Sequence, residues 1–239
     1  MVHRVQKFHN SHMPPWLHDL SLAMLALAGL CSAVLAVHLL KHPQRMWIMN
    51  LVWPLCALFG SLWILWQYFR HGRSDAAGRR SFAVSVANGT LHCGSGCTLG
   101  DLLAEALVWV APVIATWFGW RHLFRERIFA VWVLDYLLAF AVGIAFQYFT
   151  LAPMRGLSFL QGIRAAVKAD ALSLTAWQIG MYGFMAIAYF HWFGTLLHTS
   201  LSPDRPEFWF MMQLAMACGF ITSYPVNWWL IRKGIKDRM

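Results

Sequence analysis

The residues with the clearest chemistry lie in one short stretch, HCGSGCTLGDLLAE, at residues 92–105. This stretch combines an imidazole, two thiols and two carboxyl groups between an arginine-rich linker and a long apolar run. Thiolates beside an imidazole are typical ligands of copper(I), through sulfur, or of zinc, through sulfur and nitrogen. The sequence therefore predicts a metal site formed by His92, Cys93 and Cys97, with copper as the ion and zinc as the alternative.

The local structure expected around the thiols is a turn followed by a helix. Gly94 and Gly96 disfavour a rigid helix, so we expect a turn that brings both sulfurs to one point. Thr98 fits the N-cap of a helix beginning near Leu99, and Asp101 completes a variant of the capping box. The positive end of that helix would favour thiolates.

Other roles for the same residues stay open. Cys93 and Cys97 could cycle between dithiol and disulfide in a redox enzyme with a quinone or haem, or could simply pack or form a structural disulfide. Capping alone explains Asp101 equally well. Glu105 lies about two turns into an apolar helix, where a carboxyl group is costly unless it is partnered or functional.

Further polar and sulfur-containing side chains interrupt the later apolar runs. Asp135 lies in such a run and is a functional candidate, with an ion pair to Arg125 or Arg127 as the alternative. Methionines at helical spacing could supply thioether ligands, although Met stripes more often serve packing. The predicted charge-relay or path residues are Asp101, Glu105, Asp135, Gln178, Met181, Met185, Met212 and Met216.

The elements that must position these residues are membrane helices. The chain is 59% hydrophobic and only 12% charged, whereas soluble domains carry about 25% charged residues. A spanning helix needs about 20 mostly apolar residues. We predict an all-α integral membrane protein, a bundle of about six transmembrane helices, with one short interfacial helix at residues 155–169. The six spans are predicted at about 17–40, 46–69, 99–120, 128–150, 171–197 and 207–231.

The charge distribution bears on partners and orientation. The net charge of +9 comes from short Lys and Arg clusters between apolar runs, which act as topology signals and argue against nucleic acid as a partner. With six spans, the cluster distribution predicts that both termini are cytoplasmic. The expected partners are the lipid bilayer and a metal ion, and a homo-oligomer is compatible with the sequence.

Four ordered blocks carry a resemblance to a known family, among them HCGSGCTLGD and SYPVNWWLI. The chain resembles an uncharacterised family of bacterial multi-pass membrane proteins that carries a domain-of-unknown-function label. The resemblance implies a bacterial plasma-membrane protein and brings no activity with it. The resemblance covers roughly residues 85–239. We predict that the chain has two parts. Residues 1–84 hold an N-terminal tail, two helices and a basic linker, and residues 85–239 hold a four-helix domain with the HCGSGC turn.

The function predicted from the sequence is binding and transport, or other handling, of a soft metal ion, most simply copper. No nucleotide-binding motif of the GxxxxGK[ST] type occurs, so transport would be passive or ion-coupled. An enzyme is the less favoured class. The alternatives are the membrane thiol-redox enzyme and a scaffold or assembly factor.

Overall fold

A computed structural model describes residues 13–73 and 81–238, and within these ranges the regular structure is helical. The helices are α1 (Pro15–Lys41), α2 (Met49–Gln67, continued by a wider π-helical turn at Tyr68–Gly72), α3 (Phe82–Val110), α4 (Ile114–Trp117), α5 (Arg127–Arg155), α6 (Phe159–Ala186, continued by π-helical turns at Ile187–Leu196) and α7 (Pro206–Arg232). Large apolar side chains such as Leu40, Trp109 and Leu123 remain exposed on the outside, as expected for a surface that faces lipid. The predicted all-α membrane bundle is confirmed.

The cysteine stretch is part of a helix and not a turn. Residues 82–110 form one continuous helix, α3, so the predicted start near Leu99 is wrong. Thr98 is no N-cap, because its hydroxyl lies in mid-helix and donates to the Gly94 carbonyl at 2.8 Å. Asp101, predicted as part of a cap, is buried in the same helix.

The glycines of this stretch permit close packing between helices. A methyl group on Gly96 would collide with the backbone of Gly143 on α5, and one on Gly100 would collide with Ala139. These positions form a GxxxG pair, and small residues at this spacing let helix backbones approach closely in a membrane. Glycine disfavours a helix in water, but here it is required by contact with the neighbouring helix.

Helix α2 folds back on itself. Ser61 has φ 42° and ψ −122°, which reverses the chain between residues 49–60 and residues 62–72. As a result the Trp53 and Tyr68 rings lie 5.3 Å apart, and the Trp53 ring fills the space beside Gly72. In a straight helix residues 53 and 72 would be about 28 Å apart. The segment Met49–Gly72 is long and apolar enough to span a membrane, but it forms a re-entrant hairpin that enters and leaves at one end of the bundle.

The two ends of the bundle are defined by contacts between helix termini. At the end called here the tail end, Arg155 at the end of α5 forms an ion pair with Asp237 at 2.7 Å, and Tyr224 of α7 donates to Ala83 at the start of α3. At the other end, the loop end, His18 near the start of α1 contacts Glu207 at the start of α7 at 2.8 Å.

The hairpin changes the predicted topology. Helices α1, α3, α5, α6 and α7 run the length of the bundle, whereas α2 does not. Helix α1 therefore begins at the loop end and α7 finishes at the tail end. The start of α1 and the end of α7 thus lie at opposite ends of the bundle, where six complete spans would bring them to the same end.

The predicted break before the fifth span is also absent. Residues 159–186 form one helix, so most of the stretch 155–169 that was expected to lie in the interface is the first part of α6. Ser158 and Gln161 form a capping box at its start. Asp170, which the expected boundary placed at a helix end, is fully buried inside α6.

Candidate functional site: a polar row through the bundle

One helix supplies a row of polar side chains that runs through the bundle. Cys93, Cys97, Asp101 and Glu105 follow one another on α3 at intervals of four residues, with the Gly89 carbonyl one step earlier. Residues four apart lie on adjacent turns of one helix side, so the row from Cys93 to Glu105 extends about 18 Å. The thiols and Asp101 are buried, and Glu105 is partly exposed.

The row opens into a cavity at the loop end. Glu105 and Arg127 line this cavity of about 220 Å³ together with side chains of α6, α7 and the connection between them. Arg127 also donates to the Val108 carbonyl at 3.3 Å, which holds the guanidinium at the end of α3. The carboxyl group closest to this end of the row therefore faces a cation and open space.

One turn deeper, two carboxyl groups meet in what we call the acidic pair, Asp101 of α3 and Asp135 of α5. Tyr182 of α6 donates its hydroxyl to Asp135 Oδ2 at 3.1 Å. Within the described residues no donor reaches either oxygen of Asp101. A hydrogen bond between two carboxyl groups requires a proton on one of them. A proton bound by either carboxyl group would supply the donor that the oxygens of Asp101 lack among the described residues.

A second cavity adjoins Asp101 of the acidic pair. It measures about 180 Å³ and lies between α1, the α2 hairpin, α3 and α7. Asp101, Met212 and Met216 are among its lining residues. The structure thus brings together three of the predicted path residues, a carboxyl group and two thioethers.

At the tail end the row reaches a buried ammonium group. Lys236, four residues beyond α7, is 2% exposed. Its Nζ donates to Asp170 Oδ1 at 2.5 Å, to Asn227 Oδ1 at 2.8 Å, to Cys93 Sγ at 3.0 Å and to the Gly89 carbonyl at 3.2 Å. These four acceptors are called the lysine site.

The lysine site is itself held by hydroxyl and amide groups of α6 and α7. Asn227 donates to Ser173 Oγ at 2.6 Å and to Ser223 Oγ at 3.0 Å, and these hydroxyls lie 3.1 Å apart. The Cys93 thiol donates to Asp170 Oδ1 at 2.8 Å. Every member of this network is buried, so the acceptors around Lys236 are fixed in position.

The electrostatics of the site keep Lys236 charged. Burial lowers the pKa of Lys236, but the Asp170 carboxylate and Cys93 outweigh it and hold that pKa above its ordinary value. An ammonium buried without such a partner would instead lose its proton. The Lys236–Asp170 pair is therefore an ion pair in the folded chain.

Comparison with known proteins places the chain in a family. The model of a family described as a domain of unknown function, DUF4396, matches residues 84–236. The chain belongs to this family. The match takes in the whole α3 row and Lys236, while α1 and the α2 hairpin precede it. Neither the curated proteins nor the solved structures gave a match.

The three residues predicted as metal ligands do not converge in this family member. His92 points toward α5, where its Nε2 lies 3.1 Å from Thr150 Oγ1, while Cys93 faces Asp170 and Lys236. Consecutive helical residues point about 100° apart, so a continuous helix separates them. Across the described residues no group of three or more His, Cys, Asp or Glu side chains is placed to hold a metal ion. The cysteines there are free thiols.

The remaining predicted path residues lie in the same interior. Met181 and Met185 are fully buried in the apolar core of α6. Gln178 is buried, and neither its amide nitrogen nor its oxygen has a partner among the described residues. Asp135 contacts Asp101 and Tyr182. In the part of the chain that is described, it does not form the alternative ion pair with Arg125 or Arg127.

Of the residues of the lysine site, only Cys93 was predicted as a site residue. Asp170 carried a signal, since it is a carboxyl group inside a long apolar segment. Asn227 follows Pro225 and could be interpreted as satisfying the kinked backbone. Lys236 lies in a basic terminal segment, and nothing in that pattern distinguishes it from Lys233, which is exposed.

Proposed function

We propose that this protein moves a cation across the bilayer through the interior of its helix bundle. The observation that carries the proposal is the α3 row, with Glu105, Asp101, Cys97 and Cys93 following one another from the loop end toward the tail end. Ionisable groups inside a membrane are expensive to bury and usually mark ion or proton routes. Here they form a continuous series on one helix and are not scattered.

The cavity and the side chains that adjoin the α3 row support a route for a cation. Glu105 faces the loop-end cavity, from which an ion can enter. The acidic pair lies one turn further in and can hold a proton, or a cation that replaces it. The thiols of Cys97 and Cys93 lead on to Asp170. Steps of one helical turn, about 6 Å, suit a relay with small side-chain movements or bridging water.

The experiment is cation flux in liposomes that contain the purified protein. Proton entry under an imposed potential is measured with a pH-sensitive dye inside the vesicles. Asp101→Asn and Asp135→Asn should each lower the flux at least about tenfold, since losing a positioned proton-transfer group typically costs about 10²–10⁴ in rate. Asp19→Asn, at an exposed position of α1, is the matched control and should leave flux unchanged. Equal flux in wild type, the acidic-pair variants and empty vesicles contradicts the proposal.

A soft monovalent metal, copper(I), is the second candidate for the cation. Two thiols of the row and the thioethers of Met212 and Met216 beside Asp101 are the observation that favours it, because soft ligands select copper(I). Ag⁺ serves as an air-stable probe in the same vesicles. Metal uptake that falls in Cys97→Ser and in Met212→Leu supports this candidate. Proton flux without metal uptake would instead identify the proton as the transported cation.

An orientation follows from the distribution of basic residues. The tail end carries Lys41, Arg45, Arg70, Arg73, Arg155, Arg232, Lys233 and Arg238, and the loop end carries Arg121, Arg125, Arg127 and Arg205. By the positive-inside rule, this distribution supports an orientation in the plasma membrane with the tail end on the cytoplasmic side. In this orientation the loop-end cavity opens to the outside.

A further inference from the structure

The lysine site has a feature that ordinary salt bridges lack: its cation comes from a segment outside the bundle. Lys236 belongs to the short tail after α7, and the chain turns into the bundle at Gly234, which has φ +69°. The four acceptors come instead from α3, α6 and α7. The bundle thus supplies a fixed cage of four acceptors, the lysine site, and the tail supplies the ammonium group that occupies it.

The charge of the cage fits one positive charge. Asp170 is its single carboxylate, and the other acceptors are a carbonyl, an amide oxygen and a thiol sulfur. A monovalent cation is neutralised there, whereas a divalent ion would leave a positive charge uncompensated in a medium of low dielectric constant. Asp170 Oδ2 is buried with no partner in the described part of the chain, so a further acceptor atom is free to bind.

The side-chain contacts of the tail beyond Lys236 lie at the surface. Asp237 pairs with Arg155, but their side chains are 36% and 40% exposed. Arg238 stacks over the Phe82 ring at 4.8 Å. Exposed ion pairs contribute little to stability. Backbone N–H groups of Ile235 and Lys236 bond to the Leu230 carbonyl at the end of α7, so the fully buried side-chain contact of the tail is that of Lys236. A cation that competes for the lysine site can release this side chain.

We propose that the lysine site is a binding site for a monovalent cation of ammonium size, and that Lys236 is its tethered occupant, which leaves when a free cation takes its place. The inference rests on the proposed function in one respect, that the site lies at the tail end of the cation route. Occupancy by Lys236 closes that end, and replacement by a free cation opens it.

The first test replaces the occupant and offers a substitute. Purified Lys236→Ala is titrated with methylammonium chloride, which has the head group of lysine, and thermal unfolding is followed. A bound ligand stabilises the folded state by mass action, so the midpoint should rise by about 3–6 °C at ten times the Kd. Choline chloride, which is too large for the cage, controls for ionic strength and should give no rise. The double variant Lys236→Ala, Asp170→Asn should not respond to methylammonium.

Lys236→Met is the matched control for space. The methionine side chain occupies a similar volume without a charge, so methylammonium should not raise the unfolding midpoint of this variant. If methylammonium and choline raise the unfolding midpoint of Lys236→Ala equally, the proposed site is contradicted. It is also contradicted if methylammonium raises the midpoints of Lys236→Ala and Lys236→Met equally.

The wild-type chain gives a readout that needs no variant. Potassium should displace the Lys236 ammonium and raise the labelling of Lys236 by an amine-reactive reagent, quantified by mass spectrometry, while the exposed Lys233 serves as the internal reference. Labelling of Lys236 that stays constant relative to Lys233, from low to molar potassium, overturns the proposal. If Lys236→Ala does not fold, this labelling experiment is sufficient to test the proposal. Binding is measured here in detergent without a gradient, so a failure of binding and a failure of flux are separate results.

Discussion

Asp101 on α3 and Asp135 on α5 lie against each other in the interior of the bundle, and Tyr182 donates to Asp135 at 3.1 Å. Two carboxylates in one buried site repel each other, so a proton or another cation bound between them is favoured. A shared proton removes the repulsion and supplies the hydrogen bond. This pair is the most direct place at which a proton or a replacing cation can be detected.

We expect infrared spectra of the wild-type protein to contain a carbonyl-stretch component from this shared carboxylic acid. Asp101→Asn and Asp135→Asn should each remove it, because an asparagine amide donates to the remaining carboxylate and no proton needs to be shared. Asp19→Asn, at an exposed position, should keep the component. Its persistence in both acidic-pair variants would show that the two groups do not share a proton.

The close approach of α3 and α5 predicts a position-specific loss of stability. Gly100→Ala places a methyl group against Ala139, where there is no space, and should lower the free energy of unfolding by about 1–3 kcal/mol, the usual cost of overpacking. Gly183→Ala on α6 is the control, since nothing lies within 4 Å of its added carbon. Denaturant or thermal unfolding in detergent measures both. Equal stability of the two variants would contradict the tight contact.

The positions of the chemistry-bearing residues were predictable only in part. The apolar runs and their approximate bounds followed from hydropathy, because any buried membrane helix must be apolar along about 20 residues. The glycines misled the prediction for residues 93–98, since their low helix propensity in water is outweighed by the space that α5 requires. Cys93, Cys97, Asp101 and Glu105 were therefore identified individually, while their arrangement as one row required the continuous helix.

Other features depend on contacts between distant segments. Ser61 carries no sequence signal for a chain reversal, because the reversal is held by packing of Trp53 against residues 68–72. The lysine site joins residues separated by 143 positions, as in the contact between Lys236 and Cys93. Sequence periodicity contains no information about such pairs.

The hairpin predicts which connections face the same side of the membrane. Arg45→Cys, before the hairpin, and Lys233→Cys, after α7, should both react with an impermeant thiol reagent from one side, and His122→Cys should react from the other. All three positions are exposed. If α2 crossed the membrane completely, Arg45→Cys would instead react together with His122→Cys. Labelling in inside-out and right-side-out vesicles distinguishes the two topologies.

The Lys236–Asp170 ion pair predicts how stability changes with pH. Burial lowers the pKa of Lys236, but Asp170 and Cys93 raise it above the ordinary value, so the folded chain keeps the proton to a higher pH than the unfolded chain. The stabilisation is then fully present below the unfolded pKa, about 10.4, and is lost as pH rises through the folded pKa. Lys236→Met should cost about 3–5 kcal/mol at neutral pH, the typical effect of removing one partner of a buried pair.

The measurement for this last prediction is the difference in unfolding midpoint between the wild type and Lys236→Met as a function of pH. The difference should be constant from about pH 7 to about pH 9 and should shrink at higher pH, because the wild-type ammonium then loses its proton. Lys233→Met, at an exposed position, should match the wild type throughout. A difference between wild type and Lys236→Met that stays constant through strongly alkaline pH would mean that Lys236 stabilises the tail by packing and not by its charge.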